Sequence, residues 1–227
     1  VETIRFIYRL DRETSGVIVL ARDEATGSRL QKAMGQRLIG KAYVTLLEGE
    51  LRESVRVEQA LGPDPTVRVT VKQRVVEPGS AGAQMAVTVF HPLAAAGGFT
   101  LAGVELLTGR KHQIRAHAEW LGRRVVGDKL YGPDPELYLE FAEKGWTGRH
   151  SALLATTRQA LHCAAIDLRP ARMNYLLRAP WPADLALFAE RRMGLVPAAA
   201  QALIDEFVAR VLPEPAPAKD AAPSEAT

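Results

Sequence analysis

Short stretches rich in β-branched and aromatic residues recur along this chain, and they constrain its fold more than any other feature. Such stretches, bounded by Gly and Pro, are typical of strands. We predict strands at residues 1–8, 16–21, 41–47, 67–71, 74–76, 85–90 and 99–107. Because several of them follow one another between residues 51 and 99 with only turn-forming residues in between, we expect neighbouring strands to pair antiparallel.

Apolar residues at helical spacing occur between these strands. The spacing predicts helices over residues 24–37, between Gly109 and Gly122, from about Pro135 onward, and over residues 198–212. A chain that mixes helices with sequential strands in this way is expected to adopt an α+β fold.

The chain shows no Pro-, Gly- or Ser-rich linker between residues 1 and 212, so we expect this stretch to form one domain. Residues 213–227 consist of Pro, Ala and a few charged or small polar residues and hold no aromatic side chain, which predicts a disordered tail. The first residue is Val1 and a strand-like run follows at once, so we expect the natural start to lie upstream.

The overall composition limits the classes of protein without identifying one. The chain has 29 Lys and Arg against 26 Asp and Glu, a formal net charge of +3, which leaves room for a local basic face. Cys163 is the single cysteine, which excludes an internal disulfide and fits a reducing cytoplasm. No apolar run approaches the roughly 18 residues that a membrane-spanning helix needs. We therefore expect a cytoplasmic protein that does not enter a membrane.

Two segments in the first fifth of the chain carry residues suited to chemistry. In the segment YRLDRETSG, Asp11 lies between Arg9 and Arg12, and nearby positive charge favours its ionised form. Taken alone, this segment reads as a charged surface turn. Tyr43, in the segment KAYV, has a ring able to stack on a base and a hydroxyl able to exchange a proton, although a Tyr at a strand start often serves packing alone.

The segment LTGRKHQIRAH, which starts at Leu107, is the most specific pattern in the chain. Residues 109–124 hold five Lys or Arg and one acidic residue, a density that suits phosphate contacts and is also found on solvated helix faces. His112 and His117 lie about 140° apart on a helix of 3.6 residues per turn, so they do not converge on a metal ion.

These segments, together with RQALH at residues 158–162, closely resemble the motifs of the RluA-type family of RNA pseudouridine synthases. The first motif of that family reads H-R-L-D-x-x-T-S-G, and this chain has Tyr8 in place of the His. The resemblance implies that Asp11, Tyr43 and Arg115 form the catalytic set. It assigns substrate binding to the following residues: Arg9, Arg110, His112, Gln113 and Leu161.

The resemblance also implies the architecture, namely a mixed, mainly antiparallel sheet with flanking helices and a central active-site cleft. It implies ribosomal or transfer RNA as the partner, with neither a metal nor an organic cofactor. Members of the family usually carry a K-P-x-G strand segment, and often an S4-type domain, before the catalytic motif. Neither is present here, so we expect a chain that lacks its N-terminal strands.

The activity expected from this resemblance is the isomerisation of uridine in RNA to pseudouridine through Asp11. Three alternatives stay open: a non-catalytic RNA-binding module, an inactive fragment of the same fold, and a glycosidic-bond hydrolase that pairs Asp11 with Glu13 or Glu105. A hydrolase of this kind usually needs two carboxylates, an acid and a base or nucleophile.

Overall fold

The computed structural model describes residues 4–214 of the chain. The strands are β1 (Arg5–Phe6), β2 (Ser15–Gly16), β3 (Leu20–Ala21), β4 (Gly40–Glu48), β5 (Val55–Pro63), β6 (Gln73–Val76), β7 (Gln84–Ala96), β8 (Phe99–Leu106), β9 (Leu161–Asp167) and β10 (Leu176–Arg178). The helices are α1 (Glu24–Gly35), α2 (Gln113–Trp120), α3 (Glu136–Lys144), α4 (Gly148–Leu153), α5 (Ala183–Met193) and α6 (Pro197–Val211), with a short 3-10 turn at Arg169–Ala171.

One large sheet organises the described residues. Its strand order is β10-β9-β4-β8-β7-β5-β6, and every neighbouring pair along this path is antiparallel. β2 pairs with β9 and runs parallel to it. β1 and β3 form a separate two-stranded antiparallel sheet. The mixed, mainly antiparallel sheet expected from the sequence is therefore present.

The two faces of the sheet bury different sets of side chains. Along β4, Tyr43 and Leu47 point to one face and Val44 and Leu46 to the other, as the two-residue period of a strand requires. Helices α5 and α6 cover the second face, where Phe207 packs against the sheet. The first face carries α1 and α2, and the space between those helices and the sheet is where the predicted site residues lie.

Several predicted elements differ from the structure. Residues 67–71 form a loop instead of the predicted strand. The backbone N–H of Lys72 donates to the carbonyl of Val69, and the carbonyl of Lys72 accepts from the backbone N–H of Asp64, so these groups close the loop and do not pair with a neighbouring strand. Residues 16–21 split into the ends of β2 and β3, since Gly16 pairs with β9 and Ala21 with β1. β5 was missed as a strand, and it runs through Gly62 up to Pro63, which stands at its last position where no further ladder bond is needed.

The chain ends are only partly described. Of the predicted strand over residues 1–8, the structure describes Arg5–Phe6 as β1, and residues 1–3 lie outside the described range. Residues 215–227, which make up most of the predicted tail, also lie outside it. Within residues 4–214, every helix is too short or too polar to cross a lipid bilayer.

Candidate active site

An open cavity of about 830 Å³ lies on the first face of the sheet. The turn after β1, the end of α1, the start of β4 and the loop between β8 and α2 form its walls. All eight site residues predicted from the sequence line it, namely Arg9, Asp11, Tyr43, Arg110, His112, Gln113, Arg115 and Leu161. The structure thus brings together residues that lie up to about 150 positions apart in the chain.

The turn between β1 and β2 places Asp11 in this cavity. The backbone N–H of Thr14 donates to the carbonyl of Asp11 at 2.9 Å, which closes the turn. Gly16 follows with φ of +118°, and a Cβ there would lie 2.2 Å from the carbonyl oxygen of Cys163. The glycine therefore lets the turn approach β9 closely, and this contact fixes the position of Asp11 relative to the sheet.

Arg115 connects Asp11 to a second, fully buried carboxylate. Its Nη1 donates to Asp11 Oδ2 at 2.9 Å, while Nε and Nη2 donate to the two oxygens of Asp128 at 2.6 and 2.8 Å. Burial alone would lower the pKa of Arg115, but Asp128 and then Asp11 raise it above its usual value. Arg115 is therefore a permanent cation, and it holds one oxygen of Asp11 by a charge-assisted hydrogen bond.

Asp128 keeps its charge although it is completely buried. Burial opposes its ionisation, but Arg115 and the backbone N–H groups of Leu130 and Tyr131 hold the pKa of this carboxyl below its usual value. The Asp128 carboxylate orients the Arg115 guanidinium by binding Nε and Nη2, and Nη1 then donates to Asp11.

His112 lies on the other side of Asp11. It has a left-handed backbone conformation with φ of 52° at the start of α2, and its Nε2 is 4.0 Å from Asp11 Oδ1. Its Nδ1 is 3.0 Å from the hydroxyl of Tyr131. Burial and then Arg115 lower the pKa of His112 to about 4, so the imidazole is neutral at pH 7.

Tyr43 and Leu161 form the inner wall of the cavity. Burial, and then the neighbouring Cys163 and Tyr8, raise the pKa of the Tyr43 hydroxyl well above its usual value, so it stays protonated. Leu161 is 4% exposed and presents an apolar surface. The phenol ring of Tyr43 and the apolar side chain of Leu161 can both pack against a flat base bound in the cavity.

Tyr8, where the family motif has His, forms part of the wall beside Lys41. Its hydroxyl donates to the carbonyl of Val17 at 2.7 Å, and the Lys41 ammonium lies 4.7 Å from the centre of its ring. Burial lowers the pKa of Lys41. The substitution at this position thus replaces an imidazole by a ring on which a cation is held.

Gln113 is buried and supports the wall of the cavity, whereas Arg110 lies exposed at its edge. The Gln113 amide oxygen accepts from the Thr108 hydroxyl and the Arg110 backbone N–H, and its NH₂ group donates to Val87 and Thr88. The Arg110 guanidinium donates to the carbonyl of Met85. Arg9, like Arg110, is exposed and lines the mouth of the cavity.

Sequence reasoning missed the supporting residues behind the site. It did not give Asp128 or Tyr131 a role, although the segment Val126-Gly127-Asp128 follows the TGRKHQIRAH motif and belongs to the same resemblance. It also missed that Lys129, which is 2% exposed, donates to Glu13 at 2.6 Å and to the carbonyl of Thr157 at 2.7 Å. This second ion pair ties the turn that carries Asp11 to the segment that carries Asp128.

The sequence matches a family of known proteins. Residues 1–120 match the model of a family described as RNA pseudouridylate synthase. The chain belongs to this family. The match confirms the resemblance on which the site was predicted, and with it the assignment to a family of isomerases.

Relatives in the RNA pseudouridylate synthase family match most of this chain. An uncharacterized RNA pseudouridine synthase of Chloroflexus aurantiacus is 34% identical over 184 residues, covering 80% of this chain and 51% of the relative. Ribosomal large subunit pseudouridine synthase D of Haemophilus ducreyi is 30% identical over 180 residues, covering 78% of this chain and 52% of the relative. The chain therefore spans about half the length of these relatives.

A solved structure supports the fold assignment. Human RNA pseudouridylate synthase domain containing 1 superposes with a TM-score of 0.67 at 22% identity, covering 95% of this chain and 82% of the human chain. The expected fold class, a pseudouridine synthase fold with a mainly antiparallel sheet and flanking helices, is confirmed.

Proposed function

We propose that this chain is the catalytic part of an RNA pseudouridine synthase and that Asp11 is its essential catalytic group. One observation supports the proposal most directly. Among the described residues that line the cavity, Asp11 is the single carboxylate, and Arg115 holds it at 2.9 Å. A carboxylate that lines an open cavity and has one oxygen bound by Arg115 suits either attack on a carbon or removal of a proton.

The hydrolase alternative fits this cavity less well. It needs a second carboxylate beside Asp11, for which the sequence offers Glu13 and Glu105. Glu13 accepts a hydrogen bond from the Lys129 ammonium at 2.6 Å, and Glu105 lies 3.5 Å from His91. Neither carboxylate lines the cavity. With one carboxylate and no partner acid among the described lining residues, an internal transfer that neither adds nor loses water is the better match.

Pseudouridine formation breaks the bond between N1 of uracil and C1′ of ribose, turns the base, and joins C5 to C1′. The proton on C5 is lost and N1 gains one, so the atoms balance. Asp11 starts this sequence either by attacking the ribose or by removing its 2′ proton, and both routes use the same free oxygen. Tyr43 and Leu161 would hold the detached base while it turns, and Arg115 would hold the Asp11 carboxylate in position.

The rim of the cavity suits RNA, and within that class we propose ribosomal or transfer RNA as the substrate of a cytoplasmic enzyme. Six Lys or Arg side chains line the cavity against the one carboxylate, namely Arg9, Arg37, Lys41, Arg110, Lys111 and Arg115. Such an excess of cations attracts the phosphate backbone. A uridine must leave its stack to reach Asp11, and the exposed Arg9 would occupy the space that the uridine leaves.

The test is tritium release from ribosomal and transfer RNA labelled at C5 of uridine. We expect release with the wild-type chain and background counts with Asp11→Asn, which keeps the shape of the side chain but not its charge. RNA binding measured on filters controls for folding, and the variant should bind within about threefold of wild type, because Asp11 contributes no attraction to phosphate. Binding without release by the wild-type chain would refute the isomerase and favour a binding module.

A further inference from the structure

The hydrogen bonds around Tyr131 determine where the proton of His112 lies. Tyr131 is fully buried, and its hydroxyl oxygen accepts the backbone N–H of Gln73 at 2.8 Å. The other hydrogen-bond partner of this hydroxyl within residues 4–214 is His112 Nδ1, at 3.0 Å.

Two arrangements of protons are possible between these two atoms. If Nδ1 carried the proton of His112 and donated it, the hydroxyl proton of Tyr131 would have no acceptor in the described structure, and a buried donor without a partner is costly. If the hydroxyl donates to Nδ1, both the Tyr131 hydroxyl and His112 Nδ1 are satisfied. The second arrangement leaves the proton of the neutral imidazole on Nε2.

The Nε2 atom faces the oxygen of Asp11 that Arg115 does not bind. The separation of 4.0 Å from Asp11 Oδ1 is too long for a direct hydrogen bond, so both atoms remain available to a third group between them. The charged groups around His112 are Arg115, Asp11, Asp128 and Lys111. Burial and Arg115 oppose a second proton on the ring, which keeps it a neutral donor.

The backbone of His112 indicates that the orientation of this ring matters. It is one of three non-glycine residues with positive φ in the described chain, and the conformation costs energy for a side chain with a Cβ. The ring is also held edge-on to Tyr131, with the ring centres 5.6 Å apart at 80°. A strained residue whose ring is fixed at one nitrogen presents the other nitrogen in a defined direction.

We propose that Tyr131 is a positioning residue that holds His112 as the Nε2–H tautomer, so that His112 donates a hydrogen bond to a ribose oxygen of the uridine bound beside Asp11. The acceptor follows from the chemistry, because the free oxygen of Asp11 must reach C1′ or the 2′ proton, and both belong to the ribose. The identity of this acceptor rests on the proposed function, whereas the tautomer rests on the hydrogen bonds alone.

The tautomer is measured directly by two-bond proton–nitrogen correlation spectra of the chain labelled with ¹⁵N-histidine at pH 7. His112→Asn identifies the signals of His112 by their loss. We expect a protonated Nε2 and an unprotonated Nδ1 in the wild-type chain, and a mixture of tautomers in Tyr131→Phe, which keeps the ring but lacks the hydroxyl. A protonated Nδ1 or an imidazolium in the wild type would overturn the proposal, as would an unchanged single tautomer in Tyr131→Phe.

The donor role is tested by tritium release from the same labelled RNA. The amide nitrogen of Gln reaches the position of Nε2, whereas that of Asn reaches only the position of Nδ1. We expect His112→Asn to lower kcat about 100-fold with KM changed less than about threefold, and His112→Gln to stay within about tenfold of wild type. The backbone cannot account for this order, since Asn tolerates a positive φ better than Gln does.

Equal losses in the two variants would refute the donor role. The outcomes separate this inference from the proposed function. If the wild-type chain shows the Nε2–H signal but releases no tritium, the isomerase fails and the assignment of the Tyr131–His112 hydrogen bond stands. If it releases tritium but shows Nδ1–H, the isomerase stands and this inference fails.

Discussion

Replacing Asp128 by Ala is expected to destabilise the chain more than removing any exposed ion pair. Asp128 is fully buried and accepts four hydrogen bonds, two from Arg115 and two from the backbone N–H groups of Leu130 and Tyr131. Removing one partner of a buried ion pair costs about 3–5 kcal/mol, because the other charge is left buried without compensation. Since Arg115 keeps its bond to Asp11, we expect a loss near the lower end, about 3 kcal/mol.

The assay is urea unfolding, with thermal unfolding as a second measure. For a domain of this size, about 3 kcal/mol corresponds to a fall in Tm of roughly 6–12 °C. Glu58→Ala is the matched control, because Glu58 pairs with Arg56 on the surface with both side chains about half exposed, and such pairs contribute about 1 kcal/mol or less.

The pH dependence gives the same prediction a second check. The pKa of Asp128 is lower in the folded chain than in the unfolded chain. Its contribution to the free energy of unfolding is therefore fully present at a pH above the unfolded-state pKa, and it is lost as the pH falls through the folded-state pKa. The difference between wild type and Asp128→Ala should therefore be constant from pH 7 to 5 and should narrow below about pH 4. A loss no larger than that of Glu58→Ala at pH 7 would show that this carboxylate does not support Arg115 as argued.

Three further predictions concern packing, protonation and RNA binding. Gly103→Ala should lower the free energy of unfolding in urea by about 1–3 kcal/mol, since a Cβ there would lie 2.5 Å from the Phe207 ring. In the control Gly148→Ala the new Cβ meets no atom within 4 Å, so the free energy of unfolding should change by less than about 0.5 kcal/mol. Burial lowers the pKa of His117 to about 4, so the unfolded chain binds the extra proton between pH 6.5 and 4. Wild type should then lose on the order of 1–2 kcal/mol more than His117→Gln between pH 7 and 5, and equal slopes would contradict this. Lys111→Ala, at the cavity, should reduce the slope of log K against log salt by about 0.7–0.9 in RNA binding, while Lys144→Ala, away from the cavity, should leave it unchanged.

Local sequence patterns predicted the class of the fold, and short motifs that resemble those of a known family predicted the candidate site residues. The β-forming residues of β4 and the helical spacing before Gly122 lie within one element each, so they can be recognised from a few neighbouring residues. The motif around Asp11 and the one around Arg115 each keep their functional residues within a short segment. For that reason all eight predicted site residues were found on one cavity.

Only the tertiary structure decided which residues support that site. Glu13 and Lys129 meet across 116 positions, and Asp128 becomes a partner of Arg115 because the segment after α2 folds back beneath it. Hydrogen bonds and ion pairs of this kind depend on where a distant backbone places two side chains, and no period in the sequence encodes that distance.

The failed strand over residues 67–71 has the same physical cause. Its β-branched residues satisfy the local preference for a strand, but no neighbouring strand is placed to pair with them in the described structure, and the backbone of Lys72 bonds within its own loop. Strand formation needs a partner ladder, so propensity alone does not decide it. Residues that share one segment could therefore be predicted together from the sequence, whereas the contacts that fix Asp11, Arg115 and His112 relative to one another were decided by the packing of distant segments.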